Sequence, residues 1–179
     1  SLETGILKPL LGPDEFKDIF KQDKKSAIII IQGYFLRYMH KKGFAFYLSG
    51  NIWDKMLNFW QENNSSKKTS STYFKVKTEL FEKYLAGFLS GIFITNKSEV
   101  IAILWGSVYI YDFFYKSNII SEELYLDFLQ TTKELKGKII GRFTPDLWNS
   151  NFIHSWERPD CISETEFLEE NKIFQKSIS

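Results

Sequence analysis

Val100-Ile101-Ala102-Ile103-Leu104-Trp105-Gly106-Ser107-Val108-Tyr109-Ile110-Tyr111 decides how this chain folds, because it is apolar on nearly every side. Just ahead of it, Asn96-Lys97-Ser98-Glu99 sets a capping residue three positions before an acid, the spacing of a capping box. The stretch is therefore predicted as a helix from about Ser98 to Tyr115. A helix that is hydrophobic all round belongs at the centre of a protein, with other elements wrapped about it. Its 12 residues fall short of the roughly 20 that cross a bilayer, as do the 11 from Tyr84 to Ile94, so no membrane span is expected.

Working outward, the residues before this stretch carry the strongest helical periodicity in the chain. From Thr72 to Ile94, Tyr73, Val76, Leu80, Phe81, Tyr84, Leu85, Phe88, Leu89 and Ile92 recur at spacings of three and four. One continuous helix is predicted. Its second half is small on the opposite face, at Ala86, Gly87, Ser90 and Gly91, which predicts close contact with a neighbouring helix there.

A further helix is predicted from Ser26 to His40, with Ile28, Ile31, Phe35 and Tyr38 or Met39 on one face and a left-handed stop at Gly43. The β-branched run Ile28 to Ile31 also suits a short buried strand, but the helical period continues beyond it. Another helix follows from Ala45 to Asn63, lined by Leu48, Ile52, Met56 and Phe59 or Trp60. The polar stretch 62–71 has no apolar residue to pin it and is expected as a flexible loop. Downstream, Ser121 can cap a helix through Leu135, interrupted by Gly137 and Gly141. Thr144-Pro145-Asp146 starts a short helix, and the capping box Ser163-Glu164-Thr165-Glu166 opens a last one. The expected fold is all-α, an irregular or orthogonal bundle of about six to eight helices in one domain spanning 1–179.

Composition fits that expectation. Hydrophobic residues make up 44% and charged residues 25%, ordinary globular usage. Aromatic residues reach 17%, so large rings must build much of the core. One cysteine, Cys161, forms no internal disulfide, and with two histidines it makes no ordinary closed zinc site. A cytoplasmic setting is expected, and Ser1 to Pro9 shows no secretion signal. Residues 1–143 hold 20 Lys/Arg against 15 Asp/Glu, net +5, whereas residues 144–179 hold 3 against 7, net −4. A balance this near neutral argues against broad nucleic-acid binding.

Few residues suggest chemistry. Gly137-Lys138-Ile139-Ile140-Gly141-Arg142 lacks the Gly-Lys-Ser/Thr ending of a phosphate loop. Asp112 is the one charge between Glu99 and Lys116, and a carboxylate in a buried helix must find a partner or reach water. Either Lys116, four residues on, supplies that partner, or Asp112 lines a polar pocket with Tyr109 and Tyr111. The other concentration of reactive side chains is His154, Glu157, Arg158, Asp160 and Cys161, beside Trp148 and Trp156. His154 and Glu157 share a helix face but no third metal ligand accompanies them.

No catalytic set, cofactor loop or metal cluster emerges, and no cofactor is expected. The expectation is therefore a non-enzymatic protein-binding module, such as an immunity, inhibitor or adaptor protein of bacterial or phage origin, with another protein as its partner. The alternative is an enzyme or small-ligand binder with an aromatic-lined pocket between helices. Interface or ligand candidates are Tyr109, Tyr111, Asp112, Trp148, His154, Trp156, Glu157 and Arg158.

Overall fold

A computed structural model describes residues 12–89 and 95–140, together with Ser163 and Thr165. Among the described residues there are seven helices and no strand: α1 (Pro13–Gln22), α2 (Lys24–Lys41), α3 (Phe46–Asn64), α4 (Ser70–Tyr73), α5 (Thr78–Leu89), α6 (Thr95–Lys116) and α7 (Glu122–Ile140). The short helix from Thr144, the last helix from Ser163 and the acidic segment 144–179 lie outside the described residues, apart from Ser163 and Thr165.

Helix α6 is the axis of the bundle, as its composition demands. From Val100 to Phe114 every side chain but the half-buried Ala102 is buried, and α2, α3, α5 and α7 all pack on it. The helix begins at Thr95, so Asn96 and Glu99 lie inside it rather than forming its cap, and Glu99 instead meets Lys55 at 3.7 Å. At Gly106 the Ile52 side chain of α3 rests directly on the α6 backbone: a Cβ placed there would sit 2.4 Å from Ile52 Cδ1. The sequence placed a close helix approach at Ala86, Gly87, Ser90 and Gly91, of which Ser90 and Gly91 lie outside the described residues. A Cβ on Gly87 would meet nothing within 4 Å, and Ala86 is exposed.

Rings fill the space between helices. Trp53 and Trp60 of α3 pack edge-on at 5.8 Å, and Trp60 meets Phe74 at 4.9 Å. Tyr111 stacks on Phe128 of α7 at 3.5 Å between ring centroids. Edge-to-face and offset arrangements let ring quadrupoles attract, so this core is directional as well as apolar. The indole N–H of Trp53 is buried within it without a hydrogen-bond partner.

The helix expected over 72–94 is two helices, α4 and α5, separated by Phe74 to Lys77. Carbonyls that would continue α4 are taken by side chains instead. The Asn64 amide donates to the carbonyls of Tyr73 and Lys75, both at 2.8 Å, and the Tyr111 hydroxyl donates to Phe74 O at 2.5 Å. Segment 62–71, expected as a polar loop, holds the end of α3 and the start of α4, and polar contacts tie it down. Lys24 Nζ donates to Ser65 O at 2.6 Å, and the buried Ser70 hydroxyl reaches Ile119 O at 3.5 Å.

Helix ends follow local rules. Asp23 caps α2, accepting from the Ser26 N–H at 3.1 Å and from its hydroxyl at 2.5 Å. Gly43, at φ +84°, ends the same helix: its N–H bonds His40 O and the Phe44 N–H bonds Met39 O, the paired bonds of a Schellman motif. The end of α6 repeats this with Asn118 at φ +55°, whose N–H bonds Tyr115 O while the Ile119 N–H bonds Phe114 O. Ser121 caps α7, as the sequence predicts, and that helix runs through Gly137 to Ile140 rather than stopping there.

α1 has no counterpart among the predicted helices. Its signal is local: Pro13 in the first turn, Asp14 and Glu15 beside it, and Phe16 and Phe20 one turn apart on the buried face.

Candidate functional site

Asp112 is 1% exposed in α6 and makes contacts on three helices. The Tyr38 hydroxyl of α2 donates to its Oδ2 at 2.5 Å, the Tyr125 hydroxyl of α7 lies 3.4 Å from its Oδ1, and Lys116 Nζ stands 3.5 Å from Oδ2. A buried carboxylate is tolerable only with such partners. Lys116 therefore pairs with it as the sequence allows, but the carboxylate does not reach water.

Tyr109 and Tyr111 do not join it. Tyr109 packs edge-on against Phe44 at 5.0 Å, and the Tyr111 hydroxyl accepts from Trp60 Nε1 at 3.2 Å while donating to Phe74 O. Burial holds the Tyr111 phenol far above its ordinary ionisation range, so it stays a neutral donor. The pocket of Tyr109, Tyr111 and Asp112 is replaced by a clasp of Asp112, Tyr38, Tyr125 and Lys116. Sequence spacing gave no sign that Tyr38 or Tyr125 pairs with Asp112, because those contacts exist only across helices.

The clasp positions α2. With Tyr38 drawn inward to Asp112, and Ile31, Phe35 and Met39 in the core, the opposite side of α2 faces solvent. Along it run Ile29, which is 57% exposed, then Gly33, the half-buried Leu36 and exposed His40, at spacings of four, three and four. The Gly43 turn then brings the start of α3 beside the end of α2. His40 stacks on Phe46 with ring centroids 4.5 Å apart and planes 15° from parallel. Phe46 is 53% exposed and Tyr47, next to it, 86%.

Charge from Lys24 to Trp53 has one sign. Between Asp23 and Asp54 the chain carries Lys24, Lys25, Arg37, Lys41 and Lys42 and no Asp or Glu. That acid-free run of 30 residues was readable in the sequence by counting charges along a window. Exposure of Phe46 and Tyr47 was not, since both suit a buried helix face equally well.

Other lysines serve the fold. Lys136 is buried with its ammonium 5.0 Å over the Trp105 ring, and Lys138 pairs with Glu82 and Glu134, both at 3.0 Å. Aromatic side chains also line a recess of about 440 Å³ between α3 and α5, where Leu80, Tyr84 and Phe88 meet Glu62 and Lys83. The Tyr84 hydroxyl is committed there, donating to Lys55 O at 2.7 Å.

Trp148, His154, Trp156, Glu157 and Arg158, together with Cys161, lie outside the described residues. Among the described residues no group of three His, Cys, Asp or Glu side chains gathers as metal ligands, and no helix is long and apolar enough to cross a membrane. The sequence matches no protein-family model, and comparison with curated proteins and with solved structures finds no match.

Proposed function

We propose that this protein is a protein-binding module, an adaptor or inhibitor, that engages an acidic partner protein through the outward side of α2 and the first turn of α3. The observation that carries this reading is the exposure of Ile29, Phe46 and Tyr47 on either side of the Gly43 turn, within a stretch from Lys24 to Trp53 whose charged residues are all cationic. Scattered surface apolar residues are ordinary. Here, however, two adjacent rings stand out from a helix start with a stacked histidine beside them, the residue types that act as interface anchors. The rings would enter an apolar recess on the partner. The exposed Arg37 would face a rim of Asp and Glu, which speeds encounter and fixes orientation. The Asp112 clasp contributes indirectly, by holding the rotation of α2 that turns this side outward.

Testing begins with capture of a partner from an extract of the source cells, followed by titration of the purified pair. The triple variant Ile29→Ser, Phe46→Ser, Tyr47→Ser should weaken binding by about 2 kcal/mol or more, roughly 30-fold, as expected when anchor residues are truncated. Leu126→Ser, which alters an exposed apolar residue on α7, should leave affinity unchanged. Binding should also weaken with added salt. A partner indifferent to the triple variant, or captured material that proves to be nucleic acid, refutes the proposal.

A further inference from the structure

A second feature lies away from that hairpin. The last turns of α1, the entry to α4 and the connection from α6 to α7 enclose a cleft of about 540 Å³. That volume is in the usual range for small-molecule sites, about 300–1,000 Å³. Lys17 and Lys21 line one side, four residues apart and so on one face of α1. Thr69 and Ser71 line another, and Asn118 and Ser121 a third. The buried Ile119 and Ile120 complete the lining, and the Ser70 contact with Ile119 O ties two of the walls together.

The lining holds two cations, a carboxamide and several hydroxyls, and no carboxylate. Donors of this kind suit an anion rich in oxygen. Ser121 Oγ accepts from the Leu124 N–H at 3.3 Å, which leaves its own proton to donate. Thr69 Oγ1 exchanges a hydrogen bond with Thr72 Oγ1 at 2.7 Å and lies 3.2 Å from Ser71 Oγ, which holds the hydroxyls in place. The nearby acids do not close the site. Asp14 meets Lys17 at 3.6 Å, but its side chain is 98% exposed, and ion pairs so open to water are weak. Glu122 and Glu123 are exposed on the first turn of α7 and do not line the cleft.

We infer that this cleft is a binding site for a phosphate monoester, with the phosphoryl group between Lys17, Lys21 and the hydroxyls of Thr69, Ser71 and Ser121, and the organic portion against Ile119 and Ile120. Lysine acts as a point charge toward phosphate, and the hydroxyls supply direction. The isoleucines distinguish an ester from the bare ion, because inorganic phosphate has nothing to place on them.

The test is calorimetric titration of the full chain with glycerol 3-phosphate, with inorganic phosphate, and with vesicles containing phosphatidic acid, each against sodium chloride of equal ionic strength. Saturable binding of the ester, tighter than inorganic phosphate, is the expected result. The variant Lys17→Gln, Lys21→Gln should weaken it about tenfold or more, as loss of charge-assisted bonds implies. The control Lys25→Gln, Lys133→Gln removes the same charge from exposed sites elsewhere and should change affinity less than about twofold. If vesicles bind with the same dependence on Lys17 and Lys21 and the soluble ester does not, the monoester belongs to a lipid headgroup. Equal losses in both double variants, or no saturable binding to any of the three probes, overturns the inference.

Discussion

Replacing Gly106 by Ala probes the contact on which the bundle closes. The added methyl carbon would lie 2.4 Å from Ile52 Cδ1, 2.8 Å from Cγ1 and 3.0 Å from Cγ2, whereas carbon atoms in contact prefer roughly 3.5–4.0 Å. Three atoms of one side chain must therefore move, by about 0.5–1 Å or more. Ile52 is buried beneath α6 and cannot swing into solvent. Overpacking of this kind costs about 1–3 kcal/mol, and three simultaneous clashes place Gly106→Ala near the top of that range. Alanine is the better helix former by about 1 kcal/mol, so the net loss should be about 2 kcal/mol. Removing the obstacle should reverse the sign. Ile52→Ala costs about 2–5 kcal/mol alone by leaving a cavity, but in that background Gly106→Ala should stabilise, because its methyl group enters the cavity. Ile52→Val removes only the Cδ1 contact and should relieve the clash in part. Urea unfolding of the four members of the cycle measures the coupling, expected at about 2–3 kcal/mol. Gly106→Ala that stabilises the parent chain by the full propensity gain, or a coupling below about 0.5 kcal/mol, would refute the reasoning.

Three further perturbations test other parts of the fold. Tyr111→Phe strands the buried Trp60 N–H and the Phe74 carbonyl together, so unfolding free energy should fall by about 2–4 kcal/mol; a loss below about 1 kcal/mol in urea titration would mean that one of these groups finds another partner. At Asn118, whose φ of +55° suits Gly and excludes β-branched residues, Asn118→Gly should be within about 0.5 kcal/mol of the parent and Asn118→Val should lose about 1–2 kcal/mol; equal stability of the two would show that the left-handed stop does not matter. The Ser26 hydroxyl and then its N–H hold the Asp23 carboxyl below its ordinary range, so its contribution is complete above the unfolded carboxylate pKa and disappears as pH falls through the lowered folded value. Asp23→Ala should therefore melt below the parent at neutral pH and converge with it in strong acid, whereas a gap independent of pH would exclude the charged cap.

How much of this was legible beforehand depends on whether the signal lies along the chain or between its segments. Helical periodicity at Ile28, Ile31, Phe35 and Met39, the stop at Gly43 and the cap at Ser121 are all set by residues within a turn or two of one another. They appear in the structure where the sequence puts them. The burial of α6 was legible for the same reason: a helix without a polar side has nowhere else to go.

What tertiary structure alone decided involves groups far apart in the chain. The break between α4 and α5 is invisible in the apolar spacing, because it is made by Asn64 and Tyr111 taking the carbonyls of Tyr73, Phe74 and Lys75. Gly106 meets a neighbouring helix and Gly87 does not, since only the packing of α3 against α6 determines which small residue is covered. Asp112 needed partners, and the sequence said so. That these include Tyr38 and Tyr125 follows from how α2 and α7 turn against α6, and the same rotation leaves Ile29 in water, with Phe46 and Tyr47 exposed across the Gly43 turn. A local pattern fixes which faces of a helix are apolar, but the assembled bundle chooses which of those faces are covered.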